Sequence, residues 1–408
     1  PDLEGRALPC LPAGRGLMAF AAPPAEFVPK QRPPMSARHQ FAMTDGTQTM
    51  LDRFKAGVTE PFAGVTTDGQ PQAGLFTIQD TGLSTRPIRE AAEAFLGLLN
   101  AEQRARSWFD LSAPEVRVWS NIHPYLWRHG QLVEELDDRQ RNAALSLLQA
   151  SLSSAGYSLA RDIMRLNEFI GEVCNGKWEE YGEWLYWISI FGQPSDTQPW
   201  GWQIDGHHLN LNCCVLGSQV VLTPMFMGSE PNHGTYGKWT GIRVFGDEEA
   251  SGQALWEALS SSQQKQASIE HPAMGQSAAG RDNAVIPYAG LRYGDMNVAQ
   301  RELLTDLLDV YVGRLERGQA RVRAAEVQRH LVDTYFGFVD RQDVHETFYY
   351  RVHSPVILIE FDHQAGVALA DDKPTRNHIH TIVRTPNGND YGKDLLRQHY
   401  QTSPHHRA

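Results

Sequence analysis

Apolar residues recur at helical spacing in three segments of the first half of the chain, residues 89–106, 137–154 and 157–174. An apolar position every three or four residues places a hydrophobic stripe along one side of a helix. The first stripe contains Ala92, Phe95 and Leu96. The pattern therefore predicts three helices that pack together as a helical portion over residues 84–180.

From residue 182 the apolar period shortens to that of strands. Residues 183–191 form one predicted strand, and residues 202–215 and 219–226 form a pair that turns at Leu216-Gly217-Ser218. Helical patterns return at 247–260, 299–317 and 320–332, and three further strands are predicted at 347–352, 356–361 and 379–384 before a closing helix at 393–400. Because helices and strands are grouped more than they alternate, we expect an α+β fold. Its helical N-terminal portion would pack on a mainly antiparallel sheet or a distorted barrel.

The first 83 residues lack a clear period. Residues 1–45 are rich in Pro, Ala and Gly, and they predict a poorly ordered extension. Residues 46–83 contain turn signals, which indicate short strands or loops. We therefore expect a single large α+β domain at 46–408, with its strand-rich, site-bearing portion at 182–400. The sequence shows no internal repeat.

Composition and net charge limit the classes of binding partner that the protein is expected to have. The 408 residues carry a net charge of -11, which argues against a nucleic-acid or anionic-membrane partner because both need a basic surface. No apolar run approaches the ~20 residues of a membrane helix, and no secretory signal is evident. The four cysteines lack zinc-finger spacing and predict free thiols in a reducing, cytoplasmic compartment. A small-molecule substrate is the expected partner, and a homo-oligomer is left open.

Histidines carry the strongest chemical signal. His378 and His380 alternate with β-branched residues on a predicted strand, so their imidazoles point to one face. A second predicted strand contains His207 and His208, which would point to opposite faces unless a bulge intervenes. Two strands that meet would join these imidazoles into one metal site. The alternative is a set of core histidines that bond backbone carbonyls.

Other side chains extend this hypothesis. A carboxylate after four apolar residues, Glu360, is either a metal ligand or general base or the partner of a structural ion pair. Arg384 either binds substrate or pairs with Asp390. The predicted metal ligands are His207, His208, Glu360, His378 and His380; the catalytic or orienting residues are Arg384, Tyr350 and Asp390; and the pocket residues are Trp200, Trp202, Asn210 and Asn212.

These segments resemble a known family of bacterial and fungal proteins, the domain-of-unknown-function family numbered 3500. The resemblance is ordered along residues 89–400. In the usual pattern a Gly-Pro precedes the strand that carries the glutamate, whereas this chain has Ser354-Pro355. The family implies no activity. The matching segments include Gly206-His207-His208-Leu209, Tyr349-Tyr350-Arg351, Ile359-Glu360-Phe361-Asp362 and His378-Ile379-His380.

We therefore expect a metal-dependent oxidoreductase of the non-haem iron type, able to use oxygen, that acts on a small, mostly apolar organic molecule. Iron is the favoured metal, and zinc or manganese would also suit these ligands. The runner-up is a metal-dependent hydrolase or lyase in which Glu360 or Asp362 is the general base for a metal-activated water. Two further alternatives are a haem oxygenase with an axial histidine and a non-catalytic metal- or ligand-binding protein.

Overall fold

The computed structural model describes residues 44–122, 128–174, 178–271, 280–341, 346–369 and 373–402. No helix in these ranges is both long enough and apolar enough to span a bilayer. The helices are α1 (Asp45–Thr59), α2 (Arg86–Leu98), α3 (Ala101–Ser107), α4 (Asp138–Ser151), α5 (Ser154–Val173), α6 (Gly246–Glu257), α7 (Ser261–Ala267), α8 (Val298–Val312), α9 (Arg317–Gln328) and α10 (Lys393–Thr402).

Twelve strands form one mostly antiparallel sheet. They are β1 (Trp108–Phe109), β2 (Gln131–Leu132), β3 (Tyr186–Phe191), β4 (Trp200–Gly206), β5 (Leu209–Leu216), β6 (Gln219–Val221), β7 (Met225–Ser229), β8 (Leu291–Arg292), β9 (Tyr335–Asp340), β10 (Phe348–His353), β11 (Leu358–Ala365) and β12 (Pro374–Arg384). Their order is β1-β3-β4-β5-β7-β12-β11-β10-β9-β8, with β2 beside β3 and β6 beside β5. The predicted α+β fold is confirmed. Of the two predicted forms, a mainly antiparallel sheet or a distorted barrel, the structure has the sheet, because its strands do not close into a barrel.

The two faces of the sheet differ in chemistry. One face carries apolar side chains such as Ile204, Leu211 and Met227, which join residues of α4, α5 and α8 in the main hydrophobic core. Residues that pair across neighbouring strands lie on the same face of the sheet, so the strand pairing shows which residues lie on the second face. We call this second face the polar face. Its members include Gln203, Asp205, Asn210, Asn212, Gly228, Tyr349, Arg351, Glu360, Asp362, His380 and Arg384.

The polar face is largely buried. Phe54 of α1 and Trp119, which follows a short 3₁₀ helix at Pro114–Arg117, pack against Phe226 and Ile382 of the polar face. Arg117 fixes this cover, because its guanidinium donates to the carbonyls at the end of α1 and pairs with a buried aspartate. Polar groups under such a cover need partners inside the protein.

The chain consists of two halves with the same order of elements. In the first half α2, α3, β2, α4 and α5 precede β3, β4, β5 and β7; in the second half α6, α7, β8, α8 and α9 precede β9, β10, β11 and β12. The sheet order of one half mirrors that of the other, and β7 pairs with β12 where the halves meet. The hydrophobic pattern of the sequence did not reveal this repeat, which is visible in the order of the elements and strands.

Equivalent side chains make equivalent hydrogen bonds in the two halves. In each half two glutamines at the third positions of capped helices bond each other. The arginine after the second glutamine donates to two carbonyls of the preceding 3₁₀ turn. These residues are evenly offset along the chain: Gln103 and Gln263, Gln140 and Gln300, Arg141 and Arg301.

The structure corrects several predicted elements. Residues 46–83 were expected to form short strands or loops, but α1 covers Asp45–Thr59 with Thr44 as its N-cap. The predicted helix at 89–106 is two helices, because Leu99 and Asn100 are extended and the Asn100 side chain caps α3. The elements α7 and β9 were not predicted. All but the last two residues of the predicted extension at 1–45 lie outside the described ranges.

We predict that Gln140→Leu lowers the free energy of unfolding by about 2–3 kcal/mol, because a buried capping side chain is lost. Gln140 bonds the Asp137 amide, the Leu98 carbonyl and Gln103. Urea denaturation measures the loss. The control Gln149→Leu, at an exposed position of the same helix, should change it by no more than about 0.5 kcal/mol. Equal effects of the two changes would contradict a capping role.

Candidate metal centre

A tight turn presents the first ligand of the candidate centre. Gly206 pairs with Leu209, so His207 and His208 are the two turn residues between β4 and β5 and not residues within a strand. This corrects the expectation that they point to opposite faces of one strand. His208 has φ 62, a left-handed conformation that costs a non-glycine residue free energy. Such strain is typical of functional positions.

A break in strand register presents the other two ligands. The pairing of β11 with β12 shifts between His363 and Ala365, just where His378 lies on β12. A bulge re-aims side chains that regular alternation would hold parallel. The Nε2 atoms of His378, which lies at the shift, and of His380, which lies in the regular ladder, are 3.0 Å apart.

The three imidazoles converge on one point. The Nε2 atom of His208 lies 3.1 Å from that of His378 and 3.1 Å from that of His380. No other group of three or more His, Cys, Asp or Glu in the described ranges brings its ligand atoms this close. Three ring nitrogens in mutual contact cannot all be satisfied by hydrogen bonds to one another. A cation between them resolves this, so the three residues, here called the triad, could hold a metal ion.

Neighbouring groups hold two rings of the triad in place. His378 Nδ1 donates to the Ala365 carbonyl at 2.6 Å, which leaves its Nε2 lone pair for a metal. His207 stacks on His208 with ring centroids 3.9 Å apart, and its Nδ1 bonds Asn167 at 2.8 Å. His207, a predicted ligand, therefore supports the His208 ring from outside the triad.

Gly228 on β7 provides the space in which two of the rings meet. A Cβ at this position would lie 3.0 Å from His380 Cδ2, 3.2 Å from His208 Cδ2 and 2.8 Å from the Ile379 carbonyl oxygen. Any side chain here would force the two rings or the β12 backbone to move.

Burial sets the charge of the triad. Desolvation lowers the pKa of His208 and of His380 well below the usual value for imidazole, and the neighbouring imidazoles lower it further. Burial also lowers the pKa of His378, against the opposing effect of the Glu230 carboxylate. The rings are therefore neutral near pH 7, which is the form that binds metals.

Glu230 was missed by the sequence analysis. Its Oε2 lies 3.7 Å from His378 Nδ1, and its carboxylate accepts hydrogen bonds from the amides of Val367, Ala368 and Leu369. These bonds tie down the segment that carries the Ala365 carbonyl. Its position could have indicated a site residue, because Glu230 directly follows the apolar strand β7. Glu360 was predicted from the same kind of position after apolar residues.

The predicted residues Glu360, Arg384 and Asp390 are not part of the triad and bond to other side chains. Glu360 is on the polar face opposite Ile382, and its carboxylate accepts from the Tyr349 hydroxyl at 2.5 Å. The Arg384 guanidinium donates to Asp390 at 2.6 Å, and both side chains are fully buried. The alternative of an Arg384–Asp390 ion pair is thus present in the structure.

The remaining predicted residues also lie elsewhere. Tyr350 occupies the apolar face, where its hydroxyl contacts that of Tyr311 at 2.5 Å. Trp200 and Trp202 lie in the main core on the same apolar face. The amides of Asn210 and Asn212 lie on the polar face and donate to the carbonyls of Gly206 and Pro224. An aromatic wall does adjoin the triad, since the ring of Phe226 lies 5.0 Å from that of His380.

Residues 81–393 match the protein family described as "Protein of unknown function (DUF3500)". The match covers most of the chain, including all three histidines of the triad. Neither the curated proteins nor the solved structures contain a match to this chain.

We predict that Gly228→Ala weakens metal binding by about 10- to 100-fold, the usual effect of disturbing the groups that orient ligands. Competition with a chromogenic chelator measures the affinity. The control is Gly97→Ala in α2, where an added Cβ meets no atom within 4 Å. An unchanged affinity in Gly228→Ala would show that the rings do not need this space.

The buried triad also predicts a pH dependence of stability. Below about pH 6.5 unfolded histidines take up protons, whereas the depressed pKa of His208 keeps this ring neutral in the folded state. The neutral His208 ring therefore does not reduce the free energy of unfolding of the metal-free protein above that pH. As the pH falls below it, the free energy of unfolding decreases. His208→Gln lacks this ring, so between about pH 7.5 and 5.5 it should lose about 1.4 kcal/mol less free energy of unfolding than the parent protein. Thermal melts from pH 7.5 to 5.5 measure it, and parallel curves for the variant and the parent protein would contradict the expectation.

Proposed function

This chain belongs to the DUF3500 family of unknown function, and we propose that it is a metalloenzyme with one divalent ion bound by His208, His378 and His380. The convergence of three Nε2 atoms within 3.1 Å carries the proposal. Three protein ligands leave coordination positions open, as catalytic sites require, whereas structural sites are closed by four. The non-catalytic alternative is less well supported for this reason.

The chemistry of the ligands suits a first-row divalent ion. Neutral imidazole nitrogens bind iron, manganese and zinc, so all three would fit the triad. Iron is our first choice because it would supply redox chemistry. Haem fits poorly, because a porphyrin leaves only the two axial positions of its iron.

The leading proposal is an oxidoreductase of the non-haem iron type. Bound iron would supply the redox chemistry, and its open positions would allow substrate and an oxidant to bind side by side. The polar-face wall of Phe226 and Trp119, whose rings lie 6.2 Å apart, supports a substrate with an apolar body. Sites of this kind usually combine two histidines with a carboxylate, and the third ligand here is instead a histidine.

A second candidate is a hydrolase or lyase that uses a metal-activated water. Asp362 on β11 lies directly opposite His380 and on the same face, so a carboxylate is present beside the triad. Asp362 is also bonded by Arg341 and lies 3.3 Å from His271. It would act as the general base toward the bound water. The expected cytoplasmic location, small-molecule substrate and absence of nucleic-acid and membrane partners stay predictions.

Metal analysis of the purified protein tests the proposal. We expect one iron per chain without a strong Soret band, and we expect His208→Ala, His378→Ala and His380→Ala each to lose the stoichiometric metal. The control His330→Ala, outside the triad, should keep it.

Different results would redirect or end the proposal. Stoichiometric zinc alone would favour the hydrolase or lyase. A strong Soret band would identify haem and contradict the triad as the iron site. Retained metal in all three alanine variants, or no stoichiometric metal in the parent protein after reconstitution, would overturn the metal centre.

A further inference from the structure

One buried arginine on the polar face has no hydrogen-bond or ion-pair partner among the residues that the structure describes. Arg351 is 7% exposed, yet its guanidinium makes no hydrogen bond or ion pair with any residue in the described ranges. The four other arginines buried to this degree there each pair with a carboxylate: Arg117 with Asp282, Arg161 with Glu183, Arg314 with Glu248 and Arg384 with Asp390.

An unpaired guanidinium is costly inside a protein. It stays charged at all ordinary pH values and carries five N–H donors in a planar fork. With only 7% of Arg351 exposed, most of its hydration is lost without a described protein partner to replace it. The planar fork matches a carboxylate, which it can bind through two parallel hydrogen bonds. The position of Arg351 is therefore suited to an anion that no residue in the described ranges supplies.

The carboxylate of the residue opposite Arg351 bonds another side chain. Glu360 lies opposite Arg351 in the sheet, but it bonds the Tyr349 hydroxyl and forms no ion pair with Arg351. Burial raises the pKa of Glu360, and Arg351 opposes this only in part. The charge of Arg351 is thus incompletely balanced.

Arg351 lies on the same face of the sheet as His380 of the triad. In neighbouring rows of the sheet, Arg351 is opposite Glu360 and Ile382, while Tyr349 is opposite Asp362 and His380. Arg351 is therefore displaced from His380 by two strands, about 10 Å, and by two residues along the strand, about 7 Å. The long arginine side chain and the imidazole both reduce this gap.

We propose that Arg351 binds the carboxylate of the substrate, so that the substrate is a small organic acid whose other end reaches the triad. The row that contains Arg351 passes through Ile382 and Phe226, which are buried under Phe54 and Trp119, so the body of such an acid would lie beside this apolar cluster. The part of this inference that places the other end of the substrate at the triad rests on the proposed metal centre. The anion site itself depends only on Arg351.

Calorimetric titration with benzoate tests the anion site, with benzamide as an uncharged probe of the same shape. We expect benzoate to bind at least about tenfold more tightly than benzamide, because a charge-assisted bond is worth about 1.5–3 kcal/mol. Arg351→Met should lose this preference, and the control Arg292→Met, at a half-exposed arginine paired with Asp333, should keep it. His380→Ala should retain benzoate binding while it loses the metal.

Stability provides a second readout. Since Arg351 has no hydrogen bond or ion pair with any described residue, Arg351→Met should melt at or above the temperature of the parent protein. A lower melting temperature would indicate a structural partner and overturn the inference.

The binding outcomes separate the two proposals. Equal binding of benzoate and benzamide by the parent protein, or no binding of benzoate, would overturn the anion site. So would benzoate binding that survives in Arg351→Met and disappears in His380→Ala, because the metal would then hold the carboxylate. Benzoate binding that requires Arg351 in a protein without stoichiometric metal would support the anion site and refute the metal centre.

Discussion

The pairing of β7 with β12 is the contact on which the candidate site depends. It joins the two halves of the chain and sets Gly228 opposite His380. The same β7 strand pairs with β5, and the Gly228 amide donates to the His208 carbonyl at 2.8 Å. Two imidazoles separated by 172 residues in the chain thereby meet over a glycine. Without a side chain at Gly228 the rings fill the space themselves, and their lone pairs converge.

The second constraint is that the polar face of the sheet is covered. Helix α1 and the segment around Trp119 lie over it, so its charges must be balanced inside the protein. Most are, through bonds such as those of Arg117 to Asp282 and of Arg384 to Asp390. Arg351 is the exception among the buried arginines of the described ranges, and it lies on the side of the triad opposite the aromatic wall. Balanced charge stabilises the fold, and the unbalanced charge marks the place where a ligand would bind.

Duplication of the fold has not duplicated the site. The turn between β4 and β5 presents His208, whereas the equivalent connection between β10 and β11 is the longer segment 354–357, which contains no histidine. The shared features are those of the scaffold, such as the bonded glutamine pairs Gln103–Gln140 and Gln263–Gln300. Scaffold and site are thus separable, as expected when function lies in side chains placed on a common framework.

The sequence by itself determined the α+β class, most helices and strands, and the histidines of the triad. These follow from local properties, because the apolar period reports secondary structure and imidazole chemistry belongs to the residue. Only the tertiary structure decided that His207 and His208 form a turn, that a bulge re-aims His378, and that Tyr350 lies on the apolar face. The physical reason is that alternation fixes faces only within one regular strand, and a shift of a single residue exchanges them. Gly228, Glu230 and Arg351 acquire their roles from neighbours distant in the chain, which no local pattern specifies.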